Sequence, residues 1–171
     1  MRKLAVLGNA GGGKSTLSRR LARELRLPYY SVDAIIWNSA TEKTPGDEVC
    51  RTHSLWMSKD GWIIDGWGDF DLIEQRLSAA DTIILIEHPL WRHCWWATKR
   101  ECHNLVERTI QGRPLAESLG QTWQLVKALR WIHRIGLPWL KEHLNGQKTE
   151  NRLITIRTPE DLNSLNGLSP L

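Results

Sequence analysis

Apolar residues along the chain form two kinds of run that alternate. Short, nearly continuous runs at Lys3–Leu7, Tyr29–Val32, Trp62–Asp65, Asp81–Glu87 and Arg152–Ile156 predict five buried strands. The run Thr82–Ile86 is apolar at every position except its first, as a central parallel strand buried on both faces should be. Between these runs the period lengthens. Leu17, Leu21 and Leu25 recur every four residues and predict a helix over Lys14–Arg26. A second helical stretch covers Ala34–Trp37, and a third covers Asp47–Ser58, with Val49, His53 or Leu55, and Trp56 near one face. Asp69-Phe70-Asp71 opens a helix to Ala80 whose acidic first turn suits the helix dipole. Pro89 starts another, and Gln121–Asn145 predicts a long helix bent at Gly136 and Pro138. Thr158 caps a last helix. Strand and helix alternating in this way predict an α/β fold with a doubly wound parallel sheet. A length of 171 residues suits one domain.

The first strand runs directly into Gly8-Asn9-Ala10-Gly11-Gly12-Gly13-Lys14-Ser15, followed by Thr16. This is the G-x-x-x-x-G-K-[ST] spacing of the phosphate-binding P-loop, with a strand before it and a helix after it as that loop requires. Glycines let the backbone wrap a phosphate chain, and unpaired N–H groups at the helix start face the anion. Lys14 would reach the β- and γ-phosphates, and the Ser15 hydroxyl would sit on Mg²⁺. The pattern predicts nucleoside triphosphate binding.

Two further strands end on carboxylates. Asp33 follows the second strand, where it either serves the ligand-binding edge of the sheet or caps the helix that follows. At the edge it would take a proton from an acceptor hydroxyl. Asp65 ends the third strand and is placed to hold Mg²⁺ through water. Asp65-Gly66-Trp67-Gly68 also spells the D-x-x-G of GTPases, but no N-K-x-D follows. Arg51 lies in the insertion between these strands, as an acceptor clamp or a surface arginine, and Arg76 has no assigned role. Asn104–Gly120 is polar, punctuated by Gly112 and Pro114, and reads as a flap whose Arg108 and Arg113 would neutralise phosphoryl charge on closing. Arg100 and Arg92, on the Trp/Lys/Arg helix before it, would join that clamp. Trp91 and Trp95 lie four apart on that helix, which suits core or hinge packing.

Charge adds one alternative. The net charge is +4, and residues 92–157 hold 12 Lys/Arg against 5 Asp/Glu. A basic second half suits either a lid over triphosphates or DNA. The odd count of three cysteines predicts free thiols in a reducing cytoplasm. His93-Cys94 and Cys102-His103 are too far apart on one helix to share a zinc ion, and no apolar run reaches membrane-spanning length.

Gly8–Thr16, Tyr30–Asp33 with Trp37, Trp62–Gly66, Ala80–Ile84, the Trp/Lys/Arg helix through Arg100, and Ile156–Pro159 together carry a resemblance over nearly the full chain. The chain resembles the adenylate-kinase-related DNA topology modulation (FlaR-related) proteins, within the nucleoside monophosphate and shikimate kinase superfamily. The resemblance implies a three-layer P-loop fold with a five-stranded parallel sheet, an acceptor-binding insertion near residues 34–60 and a helical lid near 104–120. It implies ATP as donor with Mg²⁺, with Arg157, Thr158 and Pro159 bordering adenine. Asp33 matches the aspartate that contacts acceptor or metal-bound water in such kinases. Asp65-Gly66 resembles the Asp-Gly of adenylate kinase, but Trp67-Gly68-Asp69 replaces the Phe-Pro-Arg that follows there, so the arginine for an acceptor phosphate is missing. The resulting expectation is a cytoplasmic ATP-dependent kinase of a small molecule. Lys14, Asp33, Arg100 and Arg108 would be catalytic, Gly8–Thr16 would bind nucleotide, and Ser15 and Asp65 would hold metal. The alternative is a nucleotide-switched regulator acting on DNA or a protein partner.

Overall fold

The computed structural model describes residues 2–9, 11–37, 42–89, 91, 95, 98–99, 126–146, 152–158 and 160–161. The chain divides into two compact units, one of Met1–Gly8, Gly13–Glu87 and Thr149–Leu171, the other of Asn9–Gly12 and His88–Lys148.

The first unit holds the sheet. Its elements are β1 (Lys3–Gly8), α1 (Lys14–Leu25), β2 (Tyr29–Ser31), α2 (Val32–Ile36), α3 (Gly46–Met57), β3 (Trp62–Asp65), α4 (Phe70–Ala79), β4 (Thr82–Ile86) and β5 (Arg152–Ile156). The five strands form one parallel sheet in the order β2-β3-β1-β4-β5. The predicted doubly wound α/β sheet is therefore present. The strand order reverses direction at β1, and ligands of open α/β sheets bind beyond the carboxyl ends at such a point. The register sets Asp65 beside Val6 on one side and Ser31 on the other, and Gly8 beside Ile86.

Apolar continuity in the strands has its expected cause. All five residues of β4 and all four of β3 are buried, as continuous apolar runs in a parallel sheet should be. Leu17 and Leu21 of α1 pack with Leu4, Val6, Ile63, Ile84, Ile86 and Ile156 into one core cluster. At Gly8 the backbone takes φ +145°, and a Cβ there would lie 2.4 Å from the Ile86 carbonyl oxygen. Only glycine fits where β1 leaves the sheet against β4.

Two boundaries differ from the sequence expectation. β2 stops at Ser31, so Val32 and Asp33 belong to the first turn of α2, which itself stops at Ile36. Ser31 pairs with Asp65 and takes the extended N-cap position, which leaves Asp33 inside the helix rather than at a strand end. On α3, Val49 and His53 form the buried face while Leu55 is 62% exposed. The 3.6-residue period selects the i, i+4 pair 49 and 53 and turns position 55 outward.

In the second unit, helical residues 126–131 run into a π turn at Ile132–Gly136 and then α5 (Leu137–Gly146). The π turn lies where the sequence places a bend. Pro138 has no N–H to return to the preceding turn, and the Leu137 N–H reaches back five residues to the Ile132 carbonyl. Leu129, Ile132, Leu137, Leu140 and Leu144 are buried. Trp91 and Trp95, whose spacing suits core or hinge packing, are both exposed, which excludes the core. Among the described residues, no helix is long and apolar enough to cross a membrane.

Candidate functional site

The carboxyl ends of β1 and β3 and the starts of α1 and α2 bring the predicted residues of the first unit together. α1 begins at Lys14 after Gly13, whose φ of 84° is left-handed, and its first turn has neither an acidic residue nor a side-chain cap. Such a turn leaves N–H donors for an anion. Lys14 is largely buried there, with Ser15 and Thr16 beside it. Asn9, Gly11 and Gly12 fill the loop, and the buried Asn9 amide donates to the Leu129 carbonyl at 3.5 Å within the second unit.

Asp65 is the buried carboxylate of the site. Its Oδ2 accepts the Tyr29 hydroxyl at 3.1 Å, while Oδ1 is buried with no partner among the described residues. The Tyr29 hydroxyl also interacts with Ser15, so one phenol lies between the two residues expected at the metal. Burial, foremost, and the Asp65 charge raise the Tyr29 pKa, which keeps the phenol protonated as a donor. The spare Asp65 oxygen fits Mg²⁺, which keeps several waters and takes only one or two protein ligands. Among the described residues there is no cluster of three or more His, Cys, Asp or Glu suited to a metal.

Asp33 and Gly66 meet across the sheet edge. Gly66 has φ +100°, and a Cβ on it would lie 3.2 Å from Asp33 Oδ1. The Asp33 residue remains open to solvent, yet its carboxyl sits deep enough to be desolvated, and this raises its pKa. Lys14 and Arg76 pull it down, and Asp65 pushes it up. Two carboxylates and two cations therefore share one electrostatic environment.

Arg76 is the main residue that sequence reasoning left without a role. It is fully buried on α4 and donates to three backbone carbonyls: Leu72 at 3.2 Å, Gly66 at 2.8 Å, and Trp67. Burial lowers its pKa to about 10, and Asp33 and Asp65 oppose that shift. The guanidinium therefore stays charged, and it braces the loop after Asp65. Trp67 was likewise missed. Its indole N–H donates to the Gly8 carbonyl at 2.8 Å.

His53 lies fully buried on α3, with both ring nitrogens unpartnered among the described residues. Desolvation, and then the Arg76 charge, lower its pKa to about 4. The unfolded ring titrates near 6.5, so below that pH the unfolded chain binds a proton that the folded chain does not. The stability that His53 contributes is complete above pH 6.5 and is lost as pH falls towards 4. Urea unfolding should show about 2 kcal/mol less stability at pH 5 than at pH 7.5 from this residue. His53→Leu should remove that part of the pH dependence; an unaltered profile in the variant would refute the assignment.

Other predicted residues lie on other elements. Arg51 is exposed on α3. Arg157 and Thr158 follow β5, and both backbone N–H groups donate to Asp161 Oδ2 at 2.8 Å. The Asp161 N–H returns a bond to Thr158 Oγ1 at 3.2 Å, the reciprocal arrangement of a capping box. Ala10, Pro159, Arg92, Arg100, Arg108 and Arg113 lie outside the described residues, as do both His-Cys pairs and residues 104–120 of the expected lid.

No protein-family model matches the chain. A shikimate kinase from Nitrobacter winogradskyi is 42% identical over 60 residues, covering 35% of this chain and 27% of that protein. The match thus spans about a quarter of that relative's length. Among solved structures, a shikimate kinase from Acinetobacter baumannii in complex with shikimate aligns over 96% of this chain and 88% of its own, with a TM-score of 0.56 at 17% identity. A shikimate kinase from Bacteroides thetaiotaomicron aligns over 95% and 92%, with a TM-score of 0.50 at 16% identity. These likenesses establish a shikimate-kinase-like P-loop kinase fold.

Proposed function

We propose that the protein is a Mg²⁺-dependent kinase that transfers the γ-phosphoryl group of ATP to a hydroxyl of a small metabolite. The observation that carries the reading is the meeting of Lys14 and Ser15, at the start of α1, with Asp33 and Asp65 around one sheet edge. The kinase fold and the partial identity to a shikimate kinase support it.

In this reading the loop amides of Gly8–Thr16 and the Lys14 ammonium bind the β- and γ-phosphates. Ser15 and Asp65 are the residues that would hold Mg²⁺, which neutralises phosphate charge when bound. Asp33 orients the acceptor and takes its hydroxyl proton. The acceptor oxygen bonds to the γ-phosphorus as the bond to the β-bridging oxygen breaks, and ADP leaves. A carboxyl with a raised pKa is a better base for that step than an ordinary surface aspartate. Arg108, from a lid over 104–120, and Arg100 just before it would stabilise the transferring group, and Arg157, Thr158 and Pro159 would border adenine. We take the whole chain as one kinase domain, with residues 34–60 as the acceptor-binding insertion.

Trp67-Gly68-Asp69 after Asp65-Gly66 disfavours an acceptor that is itself a phosphate, since no arginine follows the glycine. A neutral or carboxylated polyol is the better class, with shikimate the first compound to try. The shikimate kinase likenesses lend no support to a role in DNA topology. The test is Mg²⁺-dependent ADP release from ATP against a panel of hydroxylated metabolites, nucleosides and nucleoside monophosphates. Release that depends on a hydroxylated metabolite is expected. ATP binding with only slow basal hydrolysis across the panel would move the nucleotide-switched regulator ahead.

A further inference from the structure

We propose that Trp67 is a positioning residue of the phosphate loop, one that ties the first glycine of that loop to the loop carrying Asp65. The proposal rests on reading Gly8–Thr16 as a nucleoside polyphosphate site, and it adds a determinant from outside the loop's own sequence.

Gly8 is the last residue of β1 and is buried, so its carbonyl needs a donor from within the protein. The indole N–H of Trp67 supplies one at 2.8 Å, and the side chain that supplies it is itself 7% exposed. Trp67 is held in turn. Its own carbonyl, and that of Gly66 before it, accept from the buried Arg76 guanidinium on α4. α4 therefore fixes the Trp67 backbone, and the indole fixes the end of β1.

The consequence for ligand binding follows from peptide geometry. The peptide joining Gly8 to Asn9 is planar and trans, so its N–H points opposite to its carbonyl. Pinning the Gly8 oxygen on the indole sets the direction of the first loop amide. The glycine freedom that lets the loop wrap a phosphate also lets that peptide rotate, and Trp67 removes this rotation. An arrangement fixed before the ligand arrives loses less entropy on binding.

Trp62 provides the control. It is fully buried on β3, five residues upstream, and its indole N–H has no partner among the described residues. Calorimetric titration with ADP and Mg²⁺ would compare the wild-type protein, Trp67→Phe and Trp62→Phe. Trp67→Phe is expected to weaken ADP binding about tenfold, since it leaves a buried carbonyl unpaired beside the ligand. Trp62→Phe should lower thermal stability and leave ADP affinity unchanged. A folded Trp67→Phe protein that binds ADP as wild type does overturns the proposal, and so does an equal loss in both variants.

Should Trp67→Phe fail to fold, hydrogen–deuterium exchange of the wild-type protein carries the test. ADP should slow amide exchange in residues 66–69 together with residues 13–16. Slowing confined to 13–16 overturns the coupling. Wild-type protein that binds no ADP at all removes the nucleotide reading and this proposal together.

Discussion

Replacing Lys14 by alanine is expected to lower kcat/KM for ATP by roughly 10²–10³-fold, the range seen when one preorganised charge partner of a transition state is removed. Lys14 is the first residue of α1 and is largely buried, so its stem is fixed by the helix start and its charge acts in a poorly solvated place. It also lowers the pKa of the Asp33 carboxyl. The variant should therefore lose turnover and at the same time shift the acid limb of the pH–rate profile upward. The thermal midpoint should stay near that of wild type, because removing a cation from the helix N-terminus is favourable to the dipole. Steady-state kinetics at saturating acceptor would decide the matter. Full turnover in the purified variant would mean that Lys14 is not at the reacting phosphates.

The second large effect concerns stability. Arg76→Met is expected to destabilise the fold by about 3–5 kcal/mol, the range for leaving buried partners of a charged group uncompensated. The substitution strips donors from the Leu72, Gly66 and Trp67 carbonyls and removes the cation facing Asp33 and Asp65. Arg76→Lys keeps the charge but not the planar fork, and should recover only part of the loss. Urea denaturation of the three proteins measures both. A midpoint for Arg76→Met equal to that of wild type would show that water can replace the guanidinium there.

These two residues mark where the sequence was legible and where it was not. Lys14 was readable because the P-loop is local, with every part within one strand–turn–helix segment. The five strands were readable for a related reason, since burial on both faces writes a continuous apolar run into each. Arg76 is different. It stands in the α4 stripe with Leu72, Ile73 and Leu77, all buried, and that placement was a signal that a charged residue faces the interior. Its partners are backbone carbonyls ten residues or fewer upstream, which leave no trace in side-chain types. Trp67 binds Gly8 across 59 positions of sequence, and only the β1–β3 register brings them together. Asp33 was open to two readings, a carboxylate at the sheet edge or a helix cap, and it is instead the second residue of α2. A strand of three residues and a helix of five leave too few periods for either pattern to be read.

The sheet order also bears on how the chain reaches this form. β1 is made first, yet it lies in the middle of the sheet and pairs only with β3 and β4. Even the nearest pairing in sequence, β2 with β3, joins Tyr29 to Ile63. No strand can close on its neighbour through a tight turn, so each pairing must first close a long loop, which slows folding. During synthesis the glycine-rich segment after β1 leaves the ribosome well before Asp65, Trp67 and Ile86, the residues that give it shape. Until β3 has been made, β1 is an apolar strand with two open edges, and one edge stays open until β4 follows; that interval is when the nascent chain most needs protection from aggregation.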